Sequence, residues 1–317
     1  MTNRVLLVFL GLLLAGCGKS QVRQSPPTVQ RVLIVSIDGL RPDVLLRAGC
    51  PTIQALARRG CYTYWAQTID PPVTLPSHVS MLTGVTPEKH GIYVNLDWSY
   101  QWENMPSPAV PTLFQKARAA GLSTALVSGK AKFEAIAGAG SLDWFYVPES
   151  YAQDLDVARR AADIIRQHRP RVMFVHFPNV DASGHSNGWG SDQQLQAARQ
   201  ADQALAIVLG ALRKAGLLDT TAVIVTADHG GSGWGHWRTA EPNKHIPWII
   251  AGPRIKQNLD LTRYPYRDIR TYDTFATACY LMKIPIEEDV IDGRPVLEVI
   301  DRKDLLYDTE PGSPGEF

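Results

Sequence analysis

Three short segments of the 317-residue sequence together supply carboxylate and imidazole side chains. Together they contain three aspartates and three histidines: Asp38, Asp181, His185, Asp228, His229 and His236. Oxygen and imidazole ligands suit zinc or a similar divalent ion. Any one of these residues alone would be read as a turn or surface residue, so the hypothesis of a metal site rests on the whole set.

A fourth segment supplies a candidate nucleophile. Residues Ser77–Leu82 are predicted to form a short helix after a proline, with Thr74 just ahead of its N-terminus. The dipole and the free amide groups of a helix N-terminus favour an anion. A metal ion could deprotonate the Thr74 hydroxyl and turn it into a nucleophile. The alternative is that Thr74 is simply an N-cap or turn residue.

These segments follow apolar runs that are predicted to be strands, namely Arg31–Asp38, Ser123–Ser128, Arg171–His176, Thr221–Ala227 and Ile246–Ala251. Apolar runs without alternation suit strands buried on both faces of a parallel sheet. Helices are predicted beside them at Pro51–Arg59, Val110–Gly121, Ala152–His168, Ser191–Gly216 (one helix or two) and Thr271–Lys283. This alternation predicts a single α/β domain with a doubly wound, mostly parallel sheet and helices on both faces. Ligands of such sheets bind beyond the carboxyl ends of the strands, where the acidic segments lie.

Composition narrows the possible partners. Hydrophobic residues make up 45% of the chain, and 32 basic residues nearly balance 31 acidic ones. The apolar fraction is too high for a mostly disordered chain. Since a basic excess is missing, binding to nucleic acid is not expected. The oligomeric state is left open.

The first 30 residues are predicted to serve in export and attachment to the membrane rather than to form part of the folded domain. Residues 1–16 have the charged start and short apolar core of a signal peptide, and Leu14-Ala15-Gly16-Cys17 resembles a bacterial lipobox. That resemblance implies an exported lipoprotein, held by acyl chains on Cys17 at the periplasmic face of the outer membrane. Residues 17–30 are then a flexible tether, 31–307 the folded domain that carries the candidate metal site, and 308–317 a disordered tail.

Three further cysteines, Cys50, Cys61 and Cys279, are expected to be buried free thiols. A bridge between the first two is disfavoured, because the predicted helix between them would hold their Cα atoms more than about 7 Å apart.

From Arg31 to about Pro253 these motifs resemble the alkaline phosphatase superfamily, and most closely its nucleotide pyrophosphatase/phosphodiesterase branch. The resemblance implies two zinc ions bridged by the phosphate of a small phosphate ester. One ion would be held by Asp38, Thr74, Asp228 and His229, and the other by Asp181, His185 and a later histidine. His236 is favoured for that last position, and His245 is the alternative.

The same resemblance assigns a role to Asn95, which lies 21 residues after Thr74. It matches the asparagine that donates to a phosphoryl oxygen in that branch. The implied mechanism has two steps, through a covalent phospho-threonine that is then hydrolysed.

Departures from the branch keep the substrate open. The aromatic residues that stack the base of a nucleotide are replaced by Leu75 and His176. Lys130 and Lys132 are similar to the Ser-x-Lys-x-Arg segment of some threonine-type phosphomonoesterases of the superfamily, although they could also be solvated loop lysines. The alternatives are therefore a monoesterase that uses Lys130 and, in another class, a non-catalytic surface lipoprotein. A sulfatase is weaker, because the Cys/Ser-x-Pro-x-Arg context is missing near Thr74.

Overall fold

The computed structural model describes residues 28–95, 106–137, 140–237, 240–263, 266, 268–287 and 290–301. Within these residues the strands form one sheet: β1 (Arg31–Ile37), β2 (Cys61–Gln67), β3 (Thr124–Ser128), β4 (Trp144–Tyr146), β5 (Val172–Phe177), β6 (Thr221–Thr226), β7 (His245–Ala251) and β8 (Leu259–Asp260). Their spatial order is β4-β3-β5-β1-β6-β7-β2-β8. Strands β4, β3, β5, β1 and β6 run parallel. The predicted doubly wound, mostly parallel α/β fold is therefore confirmed.

Two helical layers flank the sheet. The helices in the described residues are α1 (Pro42–Ala48), α2 (Pro51–Arg59), α3 (Thr74–Thr83), α4 (Pro87–His90), α5 (Leu113–Ala119), α6 (Glu134–Ala137), α7 (Asp154–His168), α8 (Asn179–Asn187), α9 (Asp192–Lys214), α10 (Glu241–Lys244) and α11 (Asp273–Met282). One layer contains α1, α2, α7, α8 and α9, and the other contains α3, α5 and α11. The stretch for which one helix or two were expected is a single helix, α9, of 23 residues.

Strand β7 corrects one expectation. Its apolar sequence suggested another parallel strand, but it runs antiparallel to both β6 and β2. All seven of its residues are buried, because it is paired on both edges and covered on both faces. An antiparallel strand in that position has the same composition as a parallel one, so the apolar run could not reveal its direction.

The start of α3 is a second correction. Thr74 is the first residue of this helix and Val73 occupies the N-cap position, so Thr74 neither precedes the helix nor caps it. Helix α3 ends at Gly84, whose φ of 76° is a left-handed conformation that favours glycine. The helix is buried along its whole length, so its N-terminus and Thr74 have a fixed position against the sheet.

Helix α8 directly follows β5 and was not predicted, since its serine, glycine and asparagine residues favour helices weakly. Tertiary contacts hold it in place. The Asn179 N–H donates to Asp154 Oδ1 at 3.0 Å. A Cβ on Gly184 would lie 2.7 Å from the Trp189 ring, so glycine allows α8 to pack closely there. The helix places Asp181 and His185, four residues apart, on one face.

Cys50, Cys61 and Cys279 are buried free thiols, as predicted. Burial raises the pKa of each thiol to about 12, so all three stay protonated and unreactive at neutral pH. Among the helices that the structure describes, none combines the length and the apolar character that a membrane crossing requires. The signal peptide, Cys17, most of the tether and the tail lie outside the described residues, and the domain limits stay predictions.

Candidate active site

The predicted acidic residues meet at one edge of the sheet. Asp38 follows β1, Asp181 lies in the first turn of α8 after β5, and Asp228 follows β6. These three strands are neighbours and run parallel, so their carboxyl ends open at the same edge. All three aspartates are buried.

Asp181, His185 and His236 form a first group, with potential ligand atoms all within 4.8 Å of one another. Asp181 Oδ1 lies 3.3 Å from His185 Nε2 and 3.8 Å from His236 Nε2. The Nδ1 atoms of the two histidines lie 2.9 Å and 2.6 Å from the carbonyl oxygens of Trp234 and Pro72. These carbonyls accept a hydrogen bond from the protonated Nδ1, so in the neutral ring each Nε2 presents a lone pair to the aspartate side, as a metal ligand must.

Asp38, Asp181 and His229 form a second group, which shares Asp181 with the first. His229 Nε2 lies 3.4 Å from Asp38 Oδ1 and 3.3 Å from Asp228 Oδ2. It also lies 3.2 Å from Thr74 Oγ1, so the candidate nucleophile adjoins this second group. The structure thus brings Thr74 together with all six predicted aspartates and histidines.

Three carboxylate oxygens of this site indicate whether it is suited to bind cations. Asp38 Oδ1, Asp181 Oδ1 and Asp228 Oδ2 are buried and accept no hydrogen bond within the part of the chain that the structure describes. An unsatisfied buried carboxylate oxygen is costly. Each of the three faces at least one histidine nitrogen of the groups described above. This donor set of carboxylate oxygen and neutral imidazole fits two adjacent divalent cations.

Lys130 lies between two of the aspartates. Its Nζ is 2.8 Å from Asp38 Oδ2 and 2.6 Å from Asp181 Oδ2. Burial opposes ionisation of both carboxyl groups, but the charge of Lys130 helps to hold their pKa values below the usual range. Burial, Asp38 and Asp181 together raise the pKa of Asp228 well above its usual value. One ammonium group therefore does not compensate three buried carboxylates, and the site favours additional positive charge.

His229 and His236 are held in the neutral form that binds metals. Burial lowers the pKa of His229, and burial together with His229 lowers the pKa of His236 to about 3. His185 differs, because the neighbouring Asp181 carboxylate raises its pKa and favours the protonated form, from which a bound metal ion would displace the proton. Neutral imidazoles are the ligands that a zinc site uses.

The structure separates the two candidates for the last histidine. His236 is 1% exposed and faces Asp181, whereas His245 begins β7 and lies outside both groups. His245 Nε2 is 2.9 Å from Glu241 Oε2, and its ring stacks on Trp65 with centroids 3.7 Å apart. We therefore keep His236 as the candidate ligand.

Asn95 is oriented by the start of α3. The Leu75 N–H donates to Asn95 Oδ1 at 2.9 Å. A backbone N–H only donates, so the accepting atom is the carbonyl oxygen, and among the described residues the Asn95 NH₂ group is left as a donor. The buried Leu75 side chain contributes no surface to the site.

His176 and His78 were not predicted to support the site. His176 Nε2 is 2.9 Å from Asp38 Oδ2. His78 Nε2 is 2.8 Å from Ser36 Oγ, and its Nδ1 is 3.4 Å from Asp228 Oδ2. Both rings are completely buried, so His176 cannot stack a substrate ring and instead positions a carboxylate. The available signal was a histidine inside an otherwise apolar strand.

Gly39 joins the ligand segments. Its N–H donates to Asp228 Oδ1 at 3.0 Å, and its carbonyl accepts from Trp189 Nε1 at 3.1 Å. Its φ is 70°, and a Cβ on it would lie 2.9 Å from the Asp181 Cα. A side chain at residue 39 would therefore push apart segments that carry different ligands.

Residues 32–272 match the family described as Type I phosphodiesterase / nucleotide pyrophosphatase. The chain belongs to this family. It is 26% identical over 235 residues to ectonucleotide pyrophosphatase/phosphodiesterase family member 3 of Mus musculus, covering 68% of this chain and 26% of that protein. It is 24% identical over 317 residues to the Bis(5'-adenosyl)-triphosphatase enpp4 of Xenopus laevis, covering 92% of this chain and 67% of that protein.

Solved structures of other proteins have the same fold. The murine ectonucleotide pyrophosphatase / phosphodiesterase 5 superposes with a TM-score of 0.67 at 15% identity, covering 86% of this chain and 100% of that chain. A 2-O GAG sulfatase superposes with a TM-score of 0.65 at 17% identity, covering 86% of this chain and 73% of that chain. These likenesses establish the fold. The chain spans about a quarter of the length of the mouse family member 3, at 26%.

Proposed function

We propose that this protein is a two-zinc phosphoric ester hydrolase of the phosphodiesterase/nucleotide pyrophosphatase type that acts through a covalent phospho-Thr74. The observation that carries this proposal is the position of Thr74 Oγ1, 3.2 Å from His229 Nε2 at the first residue of α3. A hydroxyl group at that point adjoins two ligand groups that share Asp181. Membership of the family supports the same activity.

The proposed ligands divide between the two cations. Asp38, Asp228, His229 and Thr74 would hold one ion, and Asp181, His185 and His236 the other. When bound, the two ions would lower the pKa of the attacking hydroxyl and of a water molecule, and would offset the charge that develops on the leaving oxygen.

The chain's own residues supply the rest of the reaction. Thr74 Oγ1 attacks phosphorus as the P–O bond to the leaving alcohol breaks, and the threonine proton ends on that alcohol. Water then cleaves the phospho-threonine and restores the hydroxyl group. The NH₂ group of Asn95 and the backbone N–H of Thr74 donate to the phosphoryl oxygens as their charge grows.

One structural neighbour supports a threonine nucleophile. The murine phosphodiesterase 5 has also been solved as an inactive threonine-to-alanine variant in complex with AMP. We extend to this chain the idea that one threonine is required and that a phosphate monoester can be retained without it.

The test compares wild type with Thr74→Ala and Thr74→Ser, each reconstituted with zinc, on bis-p-nitrophenyl phosphate. We expect wild type to turn over the diester and Thr74→Ala to lose about 10³-fold or more of kcat, because the nucleophile is gone. Thr74→Ser should keep part of the activity and trap a phosphorylated residue after acid quench. Full activity of Thr74→Ala would refute the nucleophile. A wild type that binds zinc in neither position would refute the enzyme and favour a non-catalytic binding protein.

The position of Lys130 favours a second candidate function, that of a phosphomonoesterase. Its Nζ lies within 2.8 Å of two proposed ligand aspartates, so it adds a positive charge beside both ligand groups. A monoester carries one more negative charge than a diester and gains more from that cation. Strong preference for p-nitrophenyl phosphate over the diester, abolished in Lys130→Ala, would support the monoesterase.

We also propose that the protein is an exported lipoprotein anchored through Cys17 at the periplasmic face of the outer membrane, on the basis of its lipobox-like segment. Labelling of cells with radioactive palmitate should mark the wild type and leave Cys17→Ser unlabelled. Labelling of both proteins would contradict acylation at Cys17.

A further inference from the structure

Three rings stack in a row from the interior of the site to the solvent. The centroids of His229 and His236 are 3.7 Å apart at an interplanar angle of 14°, and those of His236 and Trp237 are 4.8 Å apart at 22°. The two histidines are buried, whereas 63% of Trp237 is exposed. The stack therefore begins beside Thr74 and ends in an indole at the mouth of the site.

A second exposed indole, that of Trp234, lies on the turn that precedes His236 and Trp237. Ser232 and Gly235 close this turn through reciprocal backbone hydrogen bonds of 2.9 Å and 3.1 Å. Trp234, between them, is 69% exposed, and its carbonyl accepts from His185 Nδ1. The Trp237 ring lies 6.2 Å from the ring of His185. Both tryptophans are thus in contact with the first ligand group, whereas Thr74 contacts His229 of the second.

This placement has a direction relative to the proposed reaction. In a displacement at phosphorus the attacking and leaving oxygens lie on opposite sides of the phosphorus atom. Thr74 contacts His229 of the second group, so the leaving oxygen is directed toward Asp181, His185 and His236. A substituent on that oxygen would then pass the Trp237 ring, which stacks on His236 and lies near His185.

We propose that Trp237, together with Trp234, forms the subsite for the leaving group and selects a leaving group that carries a flat unsaturated ring, such as an aryl or nucleobase ring. This proposal rests on the proposed hydrolase function and adds a substrate class to it. An indole stacks well on such rings. Leu75 and His176 are completely buried and offer no competing ring or surface.

The test uses two diesters with a common methyl group, methyl phenyl phosphate and methyl hexafluoroisopropyl phosphate, whose leaving groups have similar acidity. Trp237→Leu keeps an apolar cover on His236 but removes the ring. We expect this substitution to lower the ratio of kcat/KM for phenyl over fluoroalkyl by about three- to tenfold. Trp65→Leu is the matched control, because Trp65 is also exposed and also stacks on a histidine, but on one outside the ligand groups. It should leave the ratio unchanged.

Binding without turnover gives an independent measurement. In a Thr74→Ala background, calorimetry reports the Kd of each intact diester. We expect the added Trp237→Leu change to weaken binding of the phenyl diester by about three- to tenfold more than that of the fluoroalkyl diester.

The outcomes separate the two proposals. If wild type hydrolyses neither diester, the hydrolase function fails, whereas the Kd difference still decides the subsite. If Trp237→Leu changes both diesters equally in rate and in Kd, the subsite is overturned and the function stands. If Trp237→Leu fails to fold, Trp234→Leu replaces it, since its backbone contact to His185 is retained; an unchanged Kd ratio in that variant also overturns the subsite.

Discussion

His176 Nε2 lies 2.9 Å from Asp38 Oδ2, and both side chains are completely buried. Asp38 therefore has a fixed orientation, with Oδ1 left to face His229 Nε2 at 3.4 Å. A buried residue that orients a ligand in this way contributes to metal affinity without touching the metal.

We expect His176→Phe to lower the affinity for zinc by about 10- to 100-fold, because Asp38 loses the partner that orients it. Competition with a chromophoric chelator measures this affinity. His90→Phe is a suitable comparison, since His90 is also buried but is bonded to Ser80 rather than to a ligand. Equal affinities of His176→Phe and wild type would show that His176 does not position Asp38.

Substitution of the two competing histidines should have opposite outcomes. His236 faces Asp181, whereas His245 is bonded to Glu241, so only His236→Ala removes a proposed ligand. We expect His236→Ala to lose one of the two zinc ions and His245→Ala to keep both. Elemental analysis after gel filtration counts the ions. Loss of zinc from His245→Ala alone would reverse the assignment.

Lys130→Met should raise the affinity of the empty site for the zinc ion that binds first. The Lys130 ammonium group lies between Asp38 and Asp181 and competes with a metal ion for these two buried carboxylates, and methionine removes that competition. We expect about a tenfold gain, which corresponds to about 1.4 kcal/mol. Lys214→Met is the control, because it removes the same charge from an exposed position in the last turn of α9. A weaker affinity in Lys130→Met would mean that Lys130 stabilises the ligand arrangement itself.

Asp154→Asn should stabilise the fold in a pH-dependent manner. Burial raises the pKa of Asp154 to about 7, from 3.8 in an unperturbed carboxyl group. Since the folded value lies above the unfolded one, Asp154 costs stability increasingly as pH rises from about 4 through 7. Asparagine keeps an oxygen to accept from the Asn179 N–H.

At pH 8 we therefore expect Asp154→Asn to raise the free energy of unfolding by about 2–4 kcal/mol, and at pH 4.5 by much less. Thermal unfolding at both pH values measures the change. Asp156→Asn, at an exposed position of the same helix, should have little effect at either pH. An equal gain for Asp154→Asn at both values would argue against a buried carboxylate as the cause.

Much of this architecture is readable in the sequence, for identifiable reasons. Residues that follow adjacent parallel strands meet at one edge, so the positions of Asp38 and Asp228 at strand ends were enough to predict that they converge. The direction of β7 was not predictable, because burial on both faces gives parallel and antiparallel strands the same composition. Helix α8 was missed because its stability comes from tertiary contacts, such as the close packing of Gly184 against Trp189, rather than from helix propensity.

The residues that contact and orient the proposed ligands could not be predicted from the spacing of the motifs. His176 is separated from Asp38 by 138 positions, and only the register that pairs β1 with β5 brings them together. Lys130 and Asp181 meet across 51 positions in the same way. A spacing motif identifies candidate ligands, but the partners that orient them follow from strand order, which the sequence alone did not specify.

Gly39 lies between residues that are proposed to bind different ions. Its N–H donates a hydrogen bond to Asp228 and its backbone packs against Asp181, so this one glycine contacts a proposed ligand of each ion. A displacement of this backbone would therefore shift a proposed ligand of each ion at once. A substitution at residue 39 should then weaken both ion positions together, and loss of metal from one position alone would indicate a change elsewhere in the site.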